Sequence, residues 1–397
     1  MINHTQSIEL FKDSKFNRKE IIFAKDILSK IEKKEPVEYR QAIILGDLDL
    51  SALNLAKRPV KRSKEETEFI ESDYGRLLCL DANSKSIVSS SIEFYDCRIE
   101  GHINFSNVIF LNSIVFDHTS FGDEGCYFYC SEFHGNKISF NFTRFVEEVS
   151  FSYAKFYNDL SFEFSKLECG VLFENVEFHK NFNFLGSRMM DIGYFVNTIF
   201  HFNADFRGAN FENFANFDGA KFLSTADFAE ASFQGTSFFN EVYFHDNVSL
   251  KRAKIYNMEF YPRCHDNSMI NLNDSNIMRL KMDWKMMKKH IVYDDAVYLS
   301  FVENFNKQAL FDYADDCYYE YNLKAKAGVK DFFAFLLCQY GIYARHVFIW
   351  TALIFLVYVI GNTILREYSL IGFIADKVLS WIIIPLLIVI FSKRFSK

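Results

Sequence analysis

The side chains that could carry chemistry in this 397-residue chain are few, and their spacing works against it. Cys126 and Cys130 stand four residues apart in GCYFYC, and a tetrahedral zinc site built on them needs two further ligands close by. His134 is the one candidate within reach, so the pair reads as inward-facing or corner thiols. Cys79, Cys97, Cys169, Cys264, Cys317 and Cys338 show no paired spacing. Asp294 with Asp295, and Asp315 with Asp316, suggest acid/base dyads, but neighbours on a helix point about 100° apart and such carboxylates diverge. His134, His179, His201 and His245 fall at polar positions between apolar ones. There is no glycine-rich phosphate loop, no Ser/His/Asp arrangement in a plausible context, no HExxH and no CxxC. The sequence therefore predicts no catalytic residue, no cofactor, no metal site and a chain that is not an enzyme.

Composition narrows the class further. The formal net charge of −7 disfavours a nucleic-acid partner held by phosphate neutralisation. The opening MINHTQSIELFKDSKF lacks the apolar stretch of a secretory signal, and the scattered cysteines read as reduced intracellular thiols. Aromatics make up 18% of the chain, with 47 Phe, and a repeat accounts for most of them.

From Val149 to Met258 a phenylalanine-centred unit returns every eleven residues. One column runs Phe151, Phe162, Phe173, Phe184, Phe195, Phe206, Phe217, Phe228, Phe239, Leu250. The other runs Phe156, Leu167, Phe178, Met189, Phe200, Phe211, Phe222, Phe233, Phe244, Ile255. Large residues thus recur at steps of five and six, with a small or aliphatic residue such as Ala204, Ala209 or Val242 two places before most of them. Neither a 3.6-residue nor a strict two-residue period produces this, whereas a solenoid does, because stacked copies bury what one short unit cannot.

The units FRGANF, FDGAKF and FAEASF resemble the pentapeptide-repeat motif, in its variant with one extra residue after every second pentapeptide. The resemblance implies a mainly β fold, a right-handed quadrilateral β-helix with the columns pointing inward. The same rhythm, less regular, is visible upstream at Phe94, Ile99, Phe105, Phe110, Phe116, Phe121, Phe133, Phe140 and Phe145. Counting from Phe94 to Ile255 gives roughly seven coils and a rod on the order of 35 Å at ~4.8 Å per coil.

The flanks divide around this solenoid. Residues 1–40 read as an N-terminal helical cap, with Ile21, Ala24, Leu28 and Ile31 at helical spacing. Residues 41–89 hold a first β edge, AIILGDLDLSALNL, and a charged stretch read as an exposed loop whose basic half is Arg58 to Lys64. The β-helix is assigned to 90–260, since the rhythm stops at Pro262. Residues 265–335 read as a helical pair, one helix carrying Val297, Phe301 and Phe305, the other Phe311, Ala314, Cys317, Tyr318 and Tyr321. Residues 340–397 read as a transmembrane hairpin. His346 to Leu365 is a run of twenty residues without a fully charged side chain, long enough to cross about 30 Å of hydrocarbon. Val378 to Phe391 is shorter and carries Pro385. Lys330 and Arg345 before the first run, and Lys393, Arg394 and Lys397 after the second, place both termini and the β-helix in the cytoplasm at the inner or plasma membrane.

The order HIVYDDAVYLSFVENF, ADDCYYEYN, QYGIYARHVFIW resembles the region after the repeats in membrane-bound pentapeptide-repeat proteins, many of which end in a two-helix potassium-channel-like module. This chain departs from that pattern. Only the twelve residues REYSLIGFIADK separate its apolar runs, with Gly372 as their single glycine, so neither a pore helix nor a T-x-G-Y-G filter fits. The expected function is therefore a membrane-anchored interaction scaffold. Between Ser90 and Phe260 there are 23 Asp and Glu against 12 Lys and Arg, an acidic rod suited to a basic protein partner. The alternative reading assembles hairpins from several copies, a homo-oligomer, into an ion-conducting or membrane-permeabilising effector with Gly361, Asn362 and Thr363 at the interface.

Overall fold

The computed structural model describes residues 19–72 and 81–325, together with Leu353 and Leu356. The chain divides into two units at Val292/Tyr293.

The first unit is mainly β, a parallel β-solenoid with four faces. Strands Val149–Ser150, Lys155–Phe156, Leu160–Ser161 and Lys166–Leu167 make one coil, and Val171–Leu172 opens the next by pairing with the first. On every face the partner lies 22 residues on: Val149 with Val171, Lys155 with Glu177, Leu160 with Phe182, Lys166 with Arg188. Coils stay in register because the inward columns stack on themselves. Phe195 lies over Phe217 at 4.7 Å and Phe206 over Phe228 at 4.8 Å, with all four side chains buried. Each fully buried phenylalanine contributes roughly 1.5–3 kcal/mol.

The alternating steps of five and six are two kinds of corner. A five-residue step turns on a residue in the left-handed region, as at Tyr153 (φ 61°) and Phe164 (φ 53°). In FRGANF and FDGAKF that residue is glycine, Gly208 at φ 63° and Gly219 at φ 70°, where a Cβ-free backbone incurs no steric cost. The residue after the turn already points inward and must be small. Alanine serves, and so do Thr143 and Ser131, whose hydroxyls donate to the carbonyls of Phe116 at 2.8 Å and Phe105 at 2.7 Å. Strands Ser232–Phe244 and Lys254–Cys264 run unbroken through two corners, so three faces merge into one 27-stranded sheet while the remaining face keeps its own ten-stranded sheet.

The solenoid exceeds the expected seven coils at both ends. Ten strands, Val37–Arg40 to Ile270–Asn271, stack on the separate face, roughly 43 Å of ladder at ~4.8 Å per step. The rhythm does not stop at Pro262: Ile270–Asn271, Asn276–Ile277 and Leu280–Lys281 form another coil, followed by α-helix Trp284–Met287, and Ile291 bridges to Ile270. It escapes a search for phenylalanine because Leu272, Ile277 and Leu280 fill the inward positions. At the other end α1 (Ala24–Glu32) buries Ala24, Ile27 and Ile31. Ile21 belongs to strand Glu20–Phe23, which pairs with Ala42–Leu45, so the edge begins earlier than helical spacing suggested.

The stretch read as an exposed charged loop also differs. It enters between strands Leu48–Asp49 and Ser84–Val88, lays Lys57–Pro59 antiparallel on the latter and forms α2 (Lys64–Glu71). Ser63 caps α2, its Oγ accepting from the Glu66 amide at 3.1 Å, and Glu66 and Ile70 are buried.

In the second unit α3 (Asp295–Lys307) and α4 (Phe311–Lys324) fold back on each other, burying Tyr298, Phe301, Phe305, Ala314 and Cys317. The hairpin called at 340–397 lies outside the described residues apart from Leu353 and Leu356, both helical and exposed. Among the described residues no helix is long and apolar enough to cross a membrane.

Candidate functional site

The insert that carries α2 is fastened to the solenoid by charge. Arg62, with 2% of its side chain exposed, pairs with Glu66 and donates to the carbonyls of Asp81 at 2.7 Å and Ala82 at 2.8 Å. Lys85, 3% exposed, reaches Glu132 Oε1 at 3.0 Å and Glu66 Oε1 at 3.8 Å, and Arg58 takes Glu132 Oε2 at 2.9 Å. Removing one member of such a buried network leaves the others uncompensated, a loss of about 3–5 kcal/mol. Burial works against ionisation of Glu132, but Lys85, His134 and Arg58 outweigh it and hold its carboxyl below the usual range. Apolar contacts complete the joint, with Ile70 against Tyr129 and Cys130, and the Phe69 ring 5.2 Å from Tyr129 and 5.1 Å from Tyr153.

Between insert and solenoid lies an open cleft of about 520 Å³. Arg58, Arg62 and Glu66 line it on one side, and Lys155, Tyr157, Glu177 and Ile199 on the other. The second wall belongs to the face on which Glu132, Lys155, Glu177 and Ile199 occupy one outward row, rung above rung. Lys155 Nζ donates to Glu177 Oε1 at 2.7 Å. Burial disfavours the Lys155 charge, yet the Glu177 hydrogen bond raises its pKa above the ordinary value.

Two residues on, at the six-residue corner, a second column stacks His134, Tyr157, His179 and His201. Their ring centroids lie 4.2, 4.7 and 4.8 Å apart in turn, with planes within 11°. Glu177, His179 and His201 bring a carboxylate oxygen and two imidazole nitrogens within 4.8 Å of one another. His179 Nε2 is 3.3 Å from Glu177 Oε2, but the two are not aligned as a hydrogen bond, and this buried nitrogen has no hydrogen-bond partner. Burial lowers the His179 pKa, with Glu177 acting against it and His201 and Lys155 in the same direction.

The residues singled out from sequence land elsewhere. Cys126 points into the core, and burial pushes its thiol up. Cys130 turns a five-residue corner at φ 57° beneath the insert, and burial first, then Glu66, pushes its thiol up to about 12. His134 pairs with Glu132 at 3.2 Å rather than with either thiol. Asp294 is the N-cap of α3, accepting from the Ala296 amide at 2.9 Å and the Val297 amide at 3.1 Å, and Asp295 accepts from the Tyr293 hydroxyl at 2.5 Å. Asp315 and Asp316 lie within α4. His245 stacks on His265 at 4.8 Å. Cys79, Cys338 and the Gly361–Asn362–Thr363 stretch lie outside the described residues.

Residues 195–242 match the family model described as pentapeptide repeats (9 copies). Over that stretch the solenoid of the first unit is similar to the pentapeptide-repeat family. The match covers the stretch in which both columns are most uniformly phenylalanine, and the same parallel pairing extends well beyond it, from Glu20–Phe23 to Asn276–Ile277. Neither a curated protein nor a solved structure matches the chain.

At the corner between strands Ser120–Phe121 and Cys126–Tyr127, and at the same corner one coil on, Asp123, Glu124, Glu147 and Glu148 stand together; the first three are exposed. None of the four forms an ion pair among the described residues, whereas the neighbouring face pairs Arg144 with Glu168 at 2.9 Å. Burial first, and then Glu147, raise the Glu148 pKa.

Proposed function

We propose that the chain is a non-enzymatic interaction scaffold whose solenoid binds a basic protein surface, and that residues 340–397 anchor it as a two-pass hairpin with the solenoid on the cytoplasmic side. The observation that carries the reading is the acidic corner of Asp123, Glu124, Glu147 and Glu148. On other faces Arg144 with Glu168, Lys155 with Glu177 and Arg188 with Glu212 pair across rungs, whereas these four clustered carboxylates have no basic partner among the described residues and are available to one on another molecule. A rigid stack of coils offers long faces and rows rather than a deep enclosed pocket, and summed charge of this kind governs attraction and partner choice. The twenty-residue apolar run His346 to Leu365 supports the anchor.

The test is a photo-crosslinking residue placed at Asp123 in the full chain, in cells. A crosslinked partner is expected, and charge reversal by Glu147→Lys with Glu148→Lys should remove it while leaving the circular dichroism spectrum unchanged. A crosslink that survives the reversal would sink the acidic-corner reading.

A further inference from the structure

The outward column at the six-residue corner presents three arrangements that differ by one residue type each. In the first, Glu132 and His134 repeat the spacing of Glu177 and His179, but the next ring in the column is Tyr157 and supplies no imidazole. In the last, His245 stacks on His265 at 4.8 Å, but Tyr243 and Arg263 stand where a carboxylate is needed. The middle one alone, among the described residues, combines a carboxylate with imidazoles on two adjacent rungs, with ligand atoms within 4.8 Å. From these contacts we infer that Glu177, His179 and His201 form a divalent transition-metal site of the zinc class.

The chemistry of the donor set fits. Two imidazoles and one carboxylate suit zinc and its neighbours, whereas calcium and magnesium prefer oxygen donors. Lys155 occupies Glu177 Oε1 and orients the carboxylate, leaving Oε2 towards His179. This is the outer hydrogen bond that metal-ligating carboxylates generally carry. The buried His179 Nε2 has no hydrogen-bond partner, a state that a metal ion would relieve. Ligand atoms around zinc at ~2.1 Å lie roughly 3.4 Å apart, so closing the site requires side-chain rotation on a backbone whose rungs are already one coil apart. Three protein ligands leave a fourth position for water or a donor from another molecule.

The experiment uses the full chain in detergent, stripped with a chelator and then dialysed. Zinc affinity is measured by competition with a chromophoric chelator, and cobalt serves as a spectroscopic stand-in. The expected result is one equivalent bound beyond that of the His179→Ala/His201→Ala double variant, with a tetrahedral cobalt spectrum. Glu177→Gln and His201→Ala should each weaken binding roughly tenfold or more, while His134→Ala and His245→Ala leave it unchanged. Melting curves of the metal-free variants establish that each is folded, and zinc should raise the melting temperature of the parent but not of the double variant. Equal zinc stoichiometry in parent and double variant would overturn the site, and so would calcium or magnesium competing on equal terms.

Discussion

Cys130 shows how much the surroundings of one side chain decide. It turns a corner in the left-handed region, beneath Ile70 and beside the Arg62–Glu66 pair, and its thiol is pushed up to about 12. Alkylation requires the thiolate, so at pH 8 Cys130 should react with iodoacetamide only as fast as the insert opens. Mass spectrometry of partly labelled native protein checks this, and labelling of Cys130 at the rate of a free thiol would contradict it. Glu168 illustrates the opposite shift. Hydrogen bonds from Arg144 and Lys166 hold its carboxyl at about 2, well under the ordinary 4.5. A carboxylate with a depressed folded-state pKa contributes stability above its unfolded value, and that contribution fades as pH falls from about 4.5 towards 2. Because Arg144 is half exposed, solvent screening limits the contribution to under ~1 kcal/mol. Glu168→Gln should therefore lower the melting temperature slightly at pH 7 and not at pH 2. At this scale the sequence placed His179 and His201 correctly at polar corners. Two elevens per coil already implied that residues 22 apart stack; what the polar-corner reading leaves undrawn is that His179 and His201 have that spacing and are therefore neighbours.

The inward columns are the element on which the solenoid depends. Phe217 is buried and stacks on Phe195 at 4.7 Å and Phe239 at 4.7 Å. Phe217→Asp removes that packing and places an unpaired charge in the ladder, a cost above ~4 kcal/mol. Thermal unfolding should show local loss of the flanking coils, while Phe217→Leu, a residue the columns already use at Leu167 and Leu250, should be tolerated far better. An Asp variant that melts with the parent would remove Phe217 from the column. The columns were readable because their period belongs to the chain itself. Other elements were hidden for specific reasons. The coil from Ile270 to Leu280 keeps the spacing but swaps phenylalanine for leucine and isoleucine. The eight residues of α2 are too few for an isolated helix and owe their form to contacts with Lys85, Tyr129 and Cys130, although the Ser63–Glu66 spacing was a capping signal in plain sight.

For the whole molecule, a solenoid whose coils touch only their neighbours gains nothing from an open end, and its terminal rungs invite pairing with other chains. At the start, α1 lays Ala24, Ile27 and Ile31 into the core. After the last rung Leu280–Lys281, Trp284–Met287 places the buried Trp284 and Met287. With both ends closed, lateral rows and corners are what the first unit offers other molecules, which favours a scaffold over a polymer. The proposed membrane anchor then makes a distinct physical demand. Two apolar runs joined by the twelve residues Arg366 to Lys377 are too closely spaced in sequence for a pore helix between them, and those twelve residues contain no T-x-G-Y-G filter motif. The full chain, reconstituted in liposomes, should resist extraction by alkaline carbonate and yet pass no potassium in a flux assay. Extraction by carbonate would remove the anchor, whereas sustained flux would make the hairpin a pore in its own right and recast the solenoid as the platform on which copies assemble.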